Sequence, residues 1–116
     1  PKMLLAFQSD EEIEKVLNQS PLMTFNDKII ERETLRNELN EIRNIYYSIS
    51  ISEQDADTTG ISFPIFNFEN NVVAALAISG LSSRFKGSRL EEMKVKGKET
   101  ALSISKELGY LGNFPQ

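Results

Sequence analysis

The sequence predicts an α+β fold, an antiparallel sheet with helices packed on it. Three observations carry that prediction. Residues 60–66 and 72–80 are two apolar runs rich in Val, Ile and Phe, side chains that suit a pleated surface. Between them lies a polar turn, Asn67-Phe68-Glu69-Asn70-Asn71, and Asn readily accepts a positive φ. After them, apolar residues recur every three or four positions from Ser88 to Leu108, the period of a long helix. The coarse order is helix, helix, strand, strand, strand, helix, joined by turns short enough for antiparallel pairing.

Each element has its own local reason. Residues 2–7 are a short apolar opening. Ser9 is a candidate N-cap, with Glu12 placed to complete a capping box. Ile13, Val16 and Leu17 follow at helical spacing. Pro21 pushes the residue before it out of the α region, so this helix ends near residues 18–20. Residues 21–30 read as a loop or extended connection. A second helix runs from about Arg32 to Asn44 on the stripe Leu35, Leu39 and Ile42. Glu31, Glu33, Glu38 and Glu41 alternate there with Arg32, Arg36 and Arg43, which reads as a solvated face. Residues 46–51 alternate in polarity as a short strand does, and residues 53–59 are a polar loop.

The strand at 72–80 is apolar on both faces, so cover is expected on both sides or nearly so. In the last helix, Ser88 with Glu91 or Glu92 is the expected N-cap, and Gly109 the expected stop. Gly97 stands mid-helix, where glycine costs roughly 1 kcal/mol relative to alanine. Close packing against the sheet is its expected reason. Residues 110–116 show no clear structure.

Composition narrows the chemistry. The chain has 116 residues, one domain at most. It contains neither Cys nor His, which excludes disulfides, thiolate or imidazole metal ligands, a Cys nucleophile and any triad that needs His. Asp55 and Asp57 lack the spacing of a calcium loop. No phosphate-binding glycine motif is present. No catalytic residue, metal site or cofactor is therefore expected, and an enzyme ranks last among the readings. A net charge of −4 with scattered basic residues argues against DNA binding by this stretch itself. No apolar run is long enough for a transmembrane helix, and the opening is too short for a signal peptide. A cytoplasmic protein with no membrane partner is expected.

The strand pair also carries a family resemblance. Ile61, Pro64, Phe66, Val72, Val73, Ala74, Ala75, Ile78, Ser79, Gly80, Ser83 and Arg84 match, without a gap, the hairpin block of the IclR family of transcriptional regulators. Lys2, Leu5, Ala6, Phe7, Glu11, Glu12 and Leu17 correspond to an upstream family passage in which Pro1 replaces a glycine. Arg43 and Tyr47 match a further passage, R-x-x-G-Y, in which Tyr46 replaces the glycine. The chain thus resembles the C-terminal, effector-binding domain of that family. The resemblance implies a GAF-like antiparallel sheet lacking the N-terminal strands of the family's domain. Residues 1–116 would form a single, partial effector-binding domain, with no DNA-binding domain in the chain.

The family's ligand pocket, carried over residue by residue, falls on Ser50, Gly60, Ala77, Ser79 and Gly80. Ser79 keeps its family hydroxyl, and the Gly80 amide stands beside it. Ser50, Gly60 and Ala77 replace more polar or bulkier family residues. Those replacements imply a cavity suited to a bulkier or more apolar effector than a small organic acid. Read without the resemblance, Ser79 is an ordinary strand-end hydroxyl and Gly60 a backbone requirement. The expected partners are a small-molecule effector, other copies of the chain in a dimer or tetramer, and DNA through a separate helix-turn-helix domain. The competing expectation is a ligand-free structural or dimerisation module.

Overall fold

The computed structural model describes residues 2–18, 32–51 and 57–115. Its sheet has three antiparallel strands in the order β1-β2-β3: β1 at Ser48–Ile51, β2 at Thr58–Phe66 and β3 at Val72–Leu81. Ser50 pairs with Gly60, and Gly60 with Ser79; Ser48 pairs with Ser62, and Ser62 with Ala77. Directly opposed residues project to the same side of a sheet. One face, here the front, therefore carries Ser48, Ser50, Gly60, Ser62, Ala75, Ala77 and Ser79. The back carries Ile49, Ile61, Phe63, Ile65, Ala74, Leu76 and Ile78.

The hairpin turn closes as its asparagines predict. Asn70 takes φ 65°. The Asn67 side-chain oxygen accepts from the amides of Glu69 at 2.9 Å and Asn71 at 3.0 Å. Pro64 sits on the central strand, where its missing N–H should break a ladder. Pairing with β1 stops at Ser62, so Pro64 lies beyond the stretch that needs a donor on that side.

A long helix, Gly87–Glu107, covers the back face. Ile61, Phe63, Ile65, Phe85 and Ala101 form the core between them, with Leu76, Ile78, Leu90 and Met93 packed alongside. Gly97 does lie against the sheet: a Cβ there would stand 2.2 Å from Phe63 Cε2. The helix starts one residue earlier than expected, with Lys86 at the N-cap and no side-chain cap, so Ser88 is inside the first turn. It stops at Gly109, which takes φ +91°. The Tyr110 amide donates to the Ser105 carbonyl and the Gly109 amide to the Lys106 carbonyl, each at 3.0 Å. That pair of bonds is a Schellman ending.

Three further helices, α1 at Lys2–Ala6, α2 at Asp10–Leu17 and α3 at Arg32–Ile45, enclose a second core; the long helix is α4. Met3, Ala6, Ile13, Leu17, Leu35, Leu39 and Ile42 are its buried side chains. The apolar opening of the sequence is thus a helix, too short to recognise by period. Ser9 caps α2 by accepting from the Glu12 amide at 3.2 Å. The Glu12 carboxylate reaches Lys15.

Arg43 and Arg36 are more than a solvated face. Arg36 holds both Glu14 oxygens, tying α3 to α2. Arg43 donates from Nε to the Ala6 carbonyl and from Nη2 to the Gln8 carbonyl, and pairs with Asp10 at 3.3 Å. It therefore caps the end of α1 and pins the turn into α2. Arg43→Ala is expected to cost about 2 kcal/mol, the scale of charge-assisted hydrogen bonds lost from one part-buried and one exposed carbonyl. Arg43→Lys should recover little of it, because one ammonium cannot span the two carbonyls. Urea denaturation of the three proteins checks both points.

Two expectations are corrected. Among the described residues nothing covers the front of β3 along its length: Val73 and Leu81 are each 51% exposed, because the five-residue α1 is too short to shield a ten-residue strand. The short strand begins at Ser48 rather than Tyr46, because Tyr46 takes φ 61° and breaks the extended run. Tyr46 stands where the family passage has glycine, the residue that tolerates this conformation. Its ring packs edge-on to Phe7 at 5.2 Å and Phe114 at 5.2 Å, contacts that hold the unfavourable backbone in place. The tail has no regular structure, as expected, yet Tyr110 is buried and stacks on Phe66 at 4.7 Å. Burial pushes the Tyr110 phenol above its ordinary pKa, with Tyr46 beside it adding to the shift. The connection at 21–30 and most of the polar loop at 53–59 lie outside the described residues.

Candidate functional site

The front face bears a cup of about 660 Å³ between the sheet, α1 and α3. Small side chains make the room. Ser48 and Ser50 from β1, Ser62 from β2 and Ala75 from β3 line the floor. Met3 of α1 and Ile42 and Ile45 of α3 form an apolar wall. Alternation along β2 sends Ser62 toward the cup and Ile61 and Phe63 into the α4 core, whereas Ile49 and Ile51 of the edge strand β1 stay exposed and border the cup as well. A serine two residues from a glycine therefore shares its face.

Among the described residues the charged groups of the cup stand on its rim: Lys2 from α1, and Glu38 and Glu41 from α3. Lys2 Nζ stands 2.6 Å from Glu38 Oε2. Glu38 and Glu41 are neighbours on one helical face, being three residues apart. Hydroxyls on the floor can both donate and accept. The combination suits reversible binding of a molecule with a polar end on the serines and an apolar body against Met3, Ile42 and Ile45.

Four of the five residues expected in a pocket share this face. Ser50, Gly60 and Ser79 form one row across the three strands. Ala77 lies in the next row, beside Ser62 and Ser48. Ser50 lines the cup itself, whereas Gly60, Ala77 and Ser79 lie on the same face beside it. Gly80 is separated from the other four: a Cβ on it would meet Phe85 at 3.3 Å, which places it on the α4 side. Sequence reasoning missed Ser48 and Ser62, although Ser62 is two residues from Gly60 and the period of two was available. It also missed Lys2, Glu38 and Glu41, for which only the packing of α1 and α3 gave a signal.

On the other side of the molecule, Ile78, Arg84, Arg89, Glu92, Met93 and Lys96 border an open groove. Its one carboxylate, Glu92, is held by Lys96 at 2.9 Å, and that bond lowers the Glu92 pKa. Among the described residues no cluster of Asp and Glu is arranged to hold a metal ion. No described helix is long and apolar enough to cross a membrane.

A small antiparallel sheet, backed by one long helix and fronted by a cup under shorter helices, is the architecture of the C-terminal domains of a class of bacterial transcriptional regulators. The family described as bacterial transcriptional regulator IclR, C-terminal, matches residues 1–106, and the chain belongs to that family. It is 36% identical over 110 residues to the HTH-type transcriptional regulator KipR of Bacillus subtilis, an alignment covering 94% of this chain and 44% of KipR. The chain thus spans less than half the length of that relative. Among solved structures, the Thermotoga maritima IclR superposes with a TM-score of 0.79 at 32% identity, over 94% of this chain and 44% of that one. The C-terminal domain of Escherichia coli KdgR superposes with a TM-score of 0.78 at 29% identity, over 94% of this chain and 67% of that one. The expected family and the α+β class are both borne out by these matches.

Proposed function

We propose that the protein is the small-molecule-sensing and oligomerisation module of an IclR-type transcriptional regulator, and that its effector sits in the front cup. The cup itself is the observation that carries this reading: about 660 Å³, floored by serines and walled by apolar side chains. Ser48, Ser50 and Ser62 line it, and Gly60, Ala77 and Ser79 extend the effector-side surface along the same face. Gly80 faces α4 and stands outside this set. With glycine and alanine at two of these positions, the effector is bulkier or more apolar than a small organic acid. DNA is contacted through a separate helix-turn-helix domain, in the cytoplasm, and the reading includes no catalytic step. Ligand and DNA are linked by a population shift, in which the effector favours one arrangement of paired domains.

Ser62→Leu tests the reading. The larger side chain fills the floor from a face that is open, so the fold should survive. In the full-length regulator, a compound library should yield ligands that raise the melting temperature. The variant should lose at least tenfold in affinity for them while still binding operator DNA, read by fluorescence anisotropy. A full-length protein that binds DNA and self-associates in the ultracentrifuge, yet answers to no compound, would instead be the ligand-free dimerisation module. The loss of polar side chains at Gly60 and Ala77 favours that second reading.

A further inference from the structure

We propose that residues 110–115 form a strap that positions both helical walls of the cup, with Phe114 as its anchor. The inference takes the cup as the sensing site and adds what holds its walls in place. Each wall ends in an aromatic ring. Met3 of α1 lines the cup, and Phe7 directly follows α1. Ile42 and Ile45 of α3 line it, and Tyr46 directly follows α3. The rings of Phe7 and Tyr46 meet edge-on at 5.2 Å.

The tail packs onto this pair. Phe114 stands 5.2 Å from Tyr46, and Tyr110 stacks at 4.7 Å on Phe66, which touches both Phe7 and Tyr46. Two lysines of α4 hold the tail from behind. Lys106 Nζ donates to the Gly112 carbonyl at 3.2 Å and Lys98 Nζ to the Pro115 carbonyl at 3.4 Å. The Lys98 ammonium also lies over the Tyr47 ring, 5.2 Å from its centre, where α3 passes into β1. The family match ends at residue 106, so these tail contacts lie beyond the stretch it describes.

The backbone explains why the junction needs support. A non-glycine residue in the left-handed region persists only where its surroundings over-determine it, and Tyr46 takes φ 61°. Phe114 is one of the rings that hold it. Without that ring Tyr46 is freer to relax toward an extended backbone, which would turn the end of α3 and move Ile45 against the cup. Phe7 would lose the firm surface that keeps α1 across the sheet. Among the described residues that line the cup none belongs to the tail, so Phe114 is a positioning residue.

Hydrogen exchange read by mass spectrometry on the full-length regulator tests the strap. Phe114→Ala is expected to speed exchange about tenfold at residues 4–8 and 44–48, since aromatic contacts of this kind resist local opening. Residues 95–103 of α4 should keep their wild-type rates. A tail that merely stabilised the whole domain would speed all of these together. Phe114→Tyr keeps the ring and should restore slow exchange at both walls. Leu111→Ala, at a side chain 93% exposed, should change neither. Phe114→Leu disturbs the packing less, and should give the same pattern at about threefold even where the alanine variant fails to fold. Unchanged exchange at either wall, or an equal rise across α4 and the sheet, overturns the strap. The measurement needs no ligand, so a cup that binds no compound overturns the sensing role without deciding this result.

Discussion

Replacing Phe66 with alanine is expected to cost about 3–5 kcal/mol of folding stability, the range for a buried aromatic deleted from a core. Phe66 is 4% exposed and is the hub of an aromatic cluster. Tyr110 stacks on it at 4.7 Å, and Phe7, Tyr46 and Phe114 surround it at 5.5, 5.6 and 5.7 Å. These rings come from four separate places: the end of α1, the α3–β1 junction, the end of β2 and the tail. The cost includes a cavity as well as lost transfer energy. Phe66 also joins the two cores, through Phe7 on the helical side and Phe114 on the sheet side. Its loss should therefore loosen α1 over the cup and weaken ligand binding together with stability. Leu111→Ala is the control, since Leu111 is 93% exposed and should change stability by no more than about 0.5 kcal/mol. Chemical denaturation of both variants decides it. Equal midpoints would mean that the tail and the junction do not pack on β2.

Gly97→Ala is expected to destabilise by about 2 kcal/mol, against the sign that helix propensity gives. Alanine at an exposed mid-helix glycine gains roughly 1 kcal/mol. Here its methyl would lie 2.2 Å from Phe63 Cε2 and 2.3 Å from Phe63 Cζ. Phe63 is 0% exposed, so its ring cannot turn aside without disturbing Ile61, Ala101 and their neighbours. Overpacking a well-filled core costs about 1–3 kcal/mol, and a contact this short belongs at or beyond the upper end. The double variant Gly97→Ala with Phe63→Leu should lose less than the sum of the two single costs, because the smaller side chain makes room. A stabilised Gly97→Ala protein would mean that Gly97 is not pressed against Phe63.

Much of the fold was legible from local chemistry. The hairpin announced itself by two β-branched and aromatic runs around an asparagine turn, and Asn70 takes the left-handed conformation that such a turn requires. Ser9, Gly109 and the stripe Leu35, Leu39 and Ile42 each act as their residue types predict. Even Gly97, which violated the preference of its element, pointed to the contact it makes. These signals are short-range: a cap, a turn or a helical period is decided within about four residues of itself. The expected pocket residues came from a family resemblance, and a period of two was enough to place Ser50, Gly60, Ala77 and Ser79 on one face.

What failed was whatever depends on residues far apart in the chain. Tyr46 read as the first residue of a strand, yet Phe7, Phe66 and Phe114 hold it at φ 61°. Arg43 read as surface charge, yet it closes the carbonyls of Ala6 and Gln8. Glu38 and Glu41 keep the exposure their pattern implies, but border a cavity only because α1 lies across the sheet. The sequence by itself determined the elements, their order and which strand residues share a face, because backbone preference and side-chain period are local properties. Tertiary structure alone decided that the front of β3 stays open, that a tail without secondary structure is packed, and that three charges meet at the mouth of a cup. Those outcomes follow from the lengths and docking of separate elements, and no local pattern encodes them.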